Sequence, residues 1–207
     1  MNRSSLPEVV VTGIGVVAPL GIGHEAFWKA IQAGRNGVTH LPQLDDSGLA
    51  APFGGQVSDF DAKRYVRPRK SLKVMSREIQ FAFSAADLAW SDAGLTEASV
   101  APERLGVVFG ADLMYCELAD VADAYRSCIV DGEFDFSRWG RDAIAQMYPL
   151  WMLKYLPNMA ACHVGIAHDA RGPTNTITLA DVSSLLAVAE GVRVIERGAA
   201  DVMIVGG

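Results

Sequence analysis

Gly172-Pro173-Thr174-Asn175-Thr176-Ile177-Thr178-Leu179-Ala180-Asp181 runs directly into Val182-Ser183-Ser184-Leu185-Leu186-Ala187-Val188-Ala189-Glu190-Gly191. Thr176 to Leu179 reads as a short β run, which Ala180-Asp181 turns into a helix closed by Gly198. A second apolar strand, Val202 to Val205, follows and stops at Gly206-Gly207. A strand feeding a sharp turn, with one functional side chain at the N-terminus of the next helix, is how many acyl-transfer enzymes present a nucleophile. The residue at this turn is Asp181.

The spacing of the helix predicts Leu185, Val188, Ala189, Val192 and Ile195 toward the core, with Glu190, Arg193 and Arg197 on the opposite face and Glu190 and Arg193 close enough to pair. Its first residue is expected over the C-terminal edge of the sheet, where open α/β sheets bind ligands. Read from the residues alone, Asp181 is an N-cap whose carboxylate accepts backbone N–H bonds at the favourable end of the helix dipole. That setting favours the ionised carboxylate and makes proton abstraction a poor role for it.

Upstream, Val9 to Val11 is a compact β-branched run punctuated by Gly13 and Gly15, the pattern of a strand buried in a parallel sheet. Gly13, Gly15 and Ala18 have the spacing of a dinucleotide-binding turn. However, Pro19, Gly21 and Gly23 delay the next helix, so its amides would not meet a pyrophosphate there. A helix over His24 to Ala33 is expected with Phe27, Trp28 and Ile31 inward and Gly34 as its stop. From Arg35 to Arg69 the chain is turn-rich, with one short strand near Gln56-Val57. Met75, Ile79, Ala82, Phe83, Ala86 and Trp90 recur at three- and four-residue steps up to Gly94, the clearest helix in the chain.

Leu105 to Phe109 reads as another buried strand, and Met114 to Val130 as a helix carrying Tyr115, Leu118, Ala122, Tyr125 and Ile129. Phe134 to Tyr155 is dense in large apolar side chains, as in a core or a subunit interface, or more sharply a wall for a lipid-like chain. Asn158 to His168 is one further helix. The alternation of strand and helix implies an α/β fold with a mainly parallel sheet covered on both faces.

The 207 residues hold one sizeable α/β domain, and 50% hydrophobic with 20% charged residues are globular values. A net charge of −6 argues against nucleic acid as the main partner. One modest basic patch, Arg64, Arg67, Arg69, Lys70, Lys73 and Arg77, reads as a solvated helix entrance, with an acidic protein partner as the alternative. Cys116, Cys128 and Cys162 form neither a CxxC pair nor a disulfide framework. No stretch approaches the roughly 20 apolar residues of a membrane span, and Met1 to Val10 has no signal segment, so a cytoplasmic protein is expected.

The stretch from Gly172-Pro173 through Ala180, the helix and Ala200 to Gly207 resembles the nucleophile region of the β-ketoacyl-(acyl-carrier-protein) synthases, condensing enzymes of the thiolase-like fold. Val10 to Gly21, Phe27-Trp28, Asp59-Phe60-Asp61, Asp92 to Leu95 and Gly106 to Gly110 agree in the same order. The resemblance implies a thiolase-like α/β fold of which residues 1–207 are the first half only, apparently truncated at the C-terminal end. It implies fatty-acid or polyketide synthesis, acyl carrier protein thioesters as partners, and a homodimer or a heterodimer with an active synthase. In the family the strand matching Thr174 to Leu179 pairs with its mate across a two-fold axis. No cofactor or metal is implied.

In that family the residue matching Asp181 is the acyl-accepting cysteine. A thiolate at a helix N-terminus yields a thioester, whereas an aspartate would give a high-energy anhydride. Condensation through Asp181 is therefore not expected. Decarboxylation is not expected either, because a carboxylate would oppose a developing enolate. The family's two catalytic histidines and its lysine come from a second half. His24, His40, His163 and His168 precede the turn and are read as surface or packing residues. Cys162, beside His163 on a helix, is read as a small buried thiol, and Ser183 and Ser184 as first-turn helix residues. Two readings follow: an accessory, chain-length-factor-like homologue that does not condense, or a fragment of an acyltransferase using different chemistry at Asp181. A lone half should expose the apolar face that meets the second half, giving poor solubility or self-association.

Overall fold

The computed structural model describes residues 7–112 and 115–207. A ribbon of β1 (Val17–Ala18) and β2 (Gly21–Ile22) leads into helix α1 (His24–Gln32), and a second ribbon pairs β3 (Val38–His40) with β4 (Phe53–Gly55). Helix α2 (Arg77–Asp92) precedes strand β5 (Leu105–Ala111). Then come α3 (Leu118–Ser127), the ribbon β6 (Ile129–Val130) and β7 (Glu133–Phe134), the single turn α4 (Ile144–Gln146) and helix α5 (Met159–Ala167). Strand β8 (Thr174–Thr178), helix α6 (Ser183–Glu196) and strand β9 (Val202–Gly206) follow.

The centre is a parallel three-stranded sheet in the order β8-β5-β9. Leu105 to Gly110 are all buried, as an unbroken apolar run in a middle strand requires. The pleat sends Leu105, Val107 and Phe109 to one face, where they join Ile79, Phe83 and Ala86 of α2 and Ala160, Ala161 and Val164 of α5. On the other face lies α6. A Cβ on Gly110 would stand 2.3 Å from the Ser184 nitrogen, so only glycine lets the helix come down on the strand there. The sheet is thus covered on both faces, as expected.

Helix α2 follows its periodicity. The Ser76 hydroxyl accepts from the Ile79 N–H at 3.4 Å to start it, and Gly94 at φ +66° ends it. Met75 is buried but lies just outside the helix. Residues 159–167 form the helix expected over Asn158 to His168.

Several expectations need correction. Val9 to Val11 is not a strand, and Val11 is 78% exposed. The following residues instead cross α2, with Gly13 and Gly15 pressed on the Ala89 and Ala85 carbonyls and the Ile14 N–H donating to Asp92 Oδ2 at 2.8 Å. Among the described residues no strand pairs with Val9 to Val11, and Val10 and Val11 stay exposed. In α1 the buried residue is Ala30, while Trp28 and Ile31 are exposed, because the helix rests on a two-residue ribbon too small to cover its stripe. The short strand foreseen near Gln56-Val57 lies at Phe53–Gly55. The third helix is confined to Leu118–Ser127, and its expected start at Met114 lies outside the described residues. Phe134 to Tyr155 forms no single core. Trp139 and Met147 pack on a satellite cluster of Ala124, Cys128 and Ala143, while Phe136, Tyr148 and Met152 stay exposed.

Candidate functional site

The three parallel strands end together. Ala111 of β5 lies opposite Thr178 of β8, and Phe109 lies opposite Gly206 of β9. Past Thr178 the chain makes one 3₁₀ turn, Ala180–Val182, before α6 begins. Ala180 takes φ 42°, a left-handed conformation that L residues with a side chain avoid, at the point where strand becomes helix. Asp181 stands on this elbow with its side chain exposed.

The expected capping role for Asp181 is not observed. α6 starts at Ser183 with Val182 in the cap position and no side-chain cap bond. The 3₁₀ turn places Asp181 before the helix rather than at its mouth, and its carboxylate has no hydrogen-bond or ion-pair partner among the described residues. Ser183 serves the elbow instead. Its buried hydroxyl accepts the Leu179 N–H at 3.4 Å and donates to the Ala180 carbonyl, spanning the turn from inside.

The face of α6 is also rotated from the expected one. Ser183, Ala187, Gly191 and Val194 are buried, whereas Leu185 is 71% exposed and Val188 is exposed. Small side chains face the sheet because the helix lies close to it, and a Cβ on Gly191 would stand 2.5 Å from Val205 Cγ1. Glu190 pairs with Arg197 at 3.0 Å rather than with Arg193.

The remaining candidates do not gather at Asp181. His24 lies 3.6 Å from Asp92, and His40 lies 2.7 Å from Asp45. His168 packs against Trp90 with the rings tilted by 40° and their centroids 4.6 Å apart. His163 is buried and bonded to the Val74 backbone, with Nε2 left unpartnered among the described residues, and burial lowers its pKa. Cys162 is half-buried rather than buried, and its sulfur takes a contact from Asn158 Nδ2 at 3.7 Å, not from His163. The elbow therefore offers an exposed carboxylate to whatever approaches the C-terminal edge of the sheet, with no histidine paired to it. Among the described residues no group of three His, Cys, Asp or Glu side chains is placed to hold a metal. The role of Ser183 was missed in the sequence, where a serine in a first helical turn looks ordinary. The only signal was its register with Ala187 and Gly191.

Residues 7–207 match a family profile described as the β-ketoacyl synthase N-terminal domain. The chain is 30% identical over 200 residues to a 3-oxoacyl-[acyl-carrier-protein] synthase 2 of Synechocystis sp., covering 97% of this chain and 45% of that protein. It is also 30% identical over 211 residues to the tetracenomycin polyketide synthase ketoacyl synthase alpha subunit of Streptomyces glaucescens, covering 100% of this chain and 46% of the other. The solved ishigamide ketosynthase/chain length factor superposes with a TM-score of 0.76 at 23% identity, over 96% of this chain and 46% of that one. The chain thus spans about half the length of the relatives it matches.

Proposed function

This chain belongs to the β-ketoacyl synthase family, whose N-terminal domain it spans, and from that premise we propose that it serves fatty-acid or polyketide assembly without carrying out condensation through its elbow residue. The observation that carries this reading is Asp181, exposed on a strained strand-to-helix elbow and unpaired among the described residues. In the family the acyl-accepting cysteine occupies the matching position. A carboxylate that accepted an acyl group from a thioester would form a mixed anhydride, uphill of the thioester. The role left is that of an accessory subunit, similar to a chain length factor, that shapes the pocket of an active synthase.

Two surfaces support partners for such a role. Strand β8 is an edge of the sheet, hydrogen-bonded among the described residues to β5 on one side only, and the adjoining Leu179, Val182, Leu185, Leu186 and Val188 are exposed. An unpaired strand beside an apolar patch is suited to a second copy or to an active synthase. The basic run suits an acidic acyl carrier protein. Arg67 is spent on the Lys63 and Val66 carbonyls, and Arg77 on the Val57 carbonyl and the Phe60 and Phe81 rings. Arg64, Arg69 and Lys70 are unpaired among the described residues.

The test is incubation with an acyl-carrier-protein thioester followed by intact-mass measurement, alongside carbon dioxide release from malonyl-carrier protein. Neither an acyl adduct nor decarboxylation above an Asp181→Ala variant is expected. An adduct that disappears in Asp181→Asn would overturn the proposal.

A further inference from the structure

The open side of β8 carries a contact that works against pairing. The Val107 N–H donates to the Pro173 carbonyl at 3.0 Å, and β8 then runs parallel to β5 until Thr178 stands opposite Ala111. Successive strand residues turn their backbone groups to alternate sides, so Asn175 and Ile177 face β5, whereas Thr174, Thr176 and Thr178 turn their N–H and C=O groups outward. Among the described residues no strand lies on that outward side. The outward N–H of Thr176 is nevertheless taken, because it donates to Oδ1 of the exposed Asn175 at 2.8 Å.

The strand reads Thr174-Asn175-Thr176-Ile177-Thr178, close to the same in both directions about Thr176. Two copies laid antiparallel on a two-fold axis at Thr176 would set Thr174 opposite Thr178 and Thr176 opposite Thr176. All three outward residues would then form hydrogen-bonded pairs, each exchanging two backbone bonds, with threonine facing threonine throughout. Moving the axis by one residue either way leaves only two such pairs within the strand. The register richest in bonds therefore needs, at its centre, the N–H that Asn175 occupies. The strand has no charge and, within Thr174–Thr178, no proline to blunt its edge, so this bond is the protection the strand itself supplies.

We propose that Asn175 is a latch on the edge of the sheet, holding the Thr176 N–H against a second copy of this chain. Pairing requires Asn175 to swing away, which breaks one local bond in each copy, so the side chain weakens self-association and sets how tight it is. The latch rests on the partner surface proposed above for β8 and names the residue that governs it.

The test uses the purified protein, at the length its own cells produce, in sedimentation velocity over a dilution series; where a dimer resists dilution, subunit exchange between labelled copies gives the comparison. Asn175→Ala removes the acceptor at an exposed position and should tighten the dimer about tenfold or more, since two local bonds no longer have to be broken. Thr178→Pro deletes an outward N–H that β5 does not use and should loosen the dimer. In dilute Thr178→Pro protein, adding Asn175→Ala should speed hydrogen exchange at the Thr176 amide about tenfold, a change that a purely packing role for Asn175 would not produce. Loosening by Thr178→Pro together with an Asn175→Ala dimer no tighter than the parent's overturns the latch and leaves the β8 surface standing. A Thr176 amide that exchanges no faster also overturns the latch. Thr178→Pro without effect on the dimer overturns the β8 surface, and the latch with it.

Discussion

The hydroxyl of Ser183 donates to the carbonyl of Ala180, three residues back, and so closes the elbow that carries Asp181. The same oxygen accepts the Leu179 N–H, so one small side chain satisfies both sides of a turn whose backbone at Ala180 is left-handed. Ser183→Ala should lower stability by about 1–3 kcal/mol, because it removes two part-buried hydrogen bonds at once. Ala180→Gly should be neutral or stabilising by up to about 1 kcal/mol, since glycine occupies φ 42° without the side-chain penalty. Urea unfolding of both variants distinguishes these opposite signs.

Asp181→Asn and Asp181→Ala should leave the unfolding midpoint within about 0.5 kcal/mol of the parent, because the exposed carboxylate bonds to nothing among the described residues. A capping aspartate would lose about 0.5–2 kcal/mol in the same measurement. Stability loss in that range would restore the capping role that the 3₁₀ turn denies.

Gly110→Ala should be far worse than Gly191→Ala. The new methyl at Gly110 meets the backbone of Ser183 and Ser184, whereas at Gly191 it meets a side-chain methyl of Val205. Backbone cannot rotate aside, so a cost of about 3 kcal/mol or more is expected at Gly110, at the upper end for overpacking. Soluble yield and thermal midpoint of the two variants read the difference.

Acidification should weaken the fold through two histidines. Burial lowers the folded-state pKa of His163 and of His168 below their ordinary value of 6.5. Between those lowered values and 6.5 the unfolded chain binds more protons, so stability falls as pH drops through that window. His168→Gln should flatten the slope. Asp87 works in the opposite sense. Burial raises its pKa above 3.8, so its contribution is lost as pH rises through the raised value. Unfolding curves taken from pH 4 to pH 8 separate the two windows.

Leu185→Glu should shift the assembly toward smaller species in sedimentation velocity at micromolar concentration, because Leu185 sits in the exposed apolar patch beside the open edge of β8. An unchanged sedimentation profile would remove this patch from the interface.

Elements closed within their own packing were legible in the sequence. Strand β5 showed as an unbroken apolar run because it is buried on both faces, and α2 showed its period because Ile79, Phe83 and Ala86 all meet one core. The face of α6 was misread for a physical reason. Counting large apolar side chains selects Leu185 and Val188, yet a helix lying close on a sheet turns its smallest residues, Ser183, Ala187 and Gly191, inward. Val9 to Val11 failed similarly, since β-branched composition reports strand propensity and says nothing of whether a neighbour is present to pair with. At the elbow the position of Asp181 was readable, but its bonding was not. One extra 3₁₀ turn, unmarked by any glycine, decided whether its carboxylate reached the helix amides.

The order of strands β8-β5-β9 also sets a timetable for synthesis. The middle strand, Leu105–Ala111, leaves the ribosome long before either neighbour, Thr174–Thr178 or Val202–Gly206, has been made. Throughout that interval the most buried strand of the centre has no hydrogen-bonding partner from this sheet, and closing the sheet requires two long-range contacts. Slow translation between residues 111 and 202 would prolong the exposure of β5 and give chaperones their window on the nascent chain.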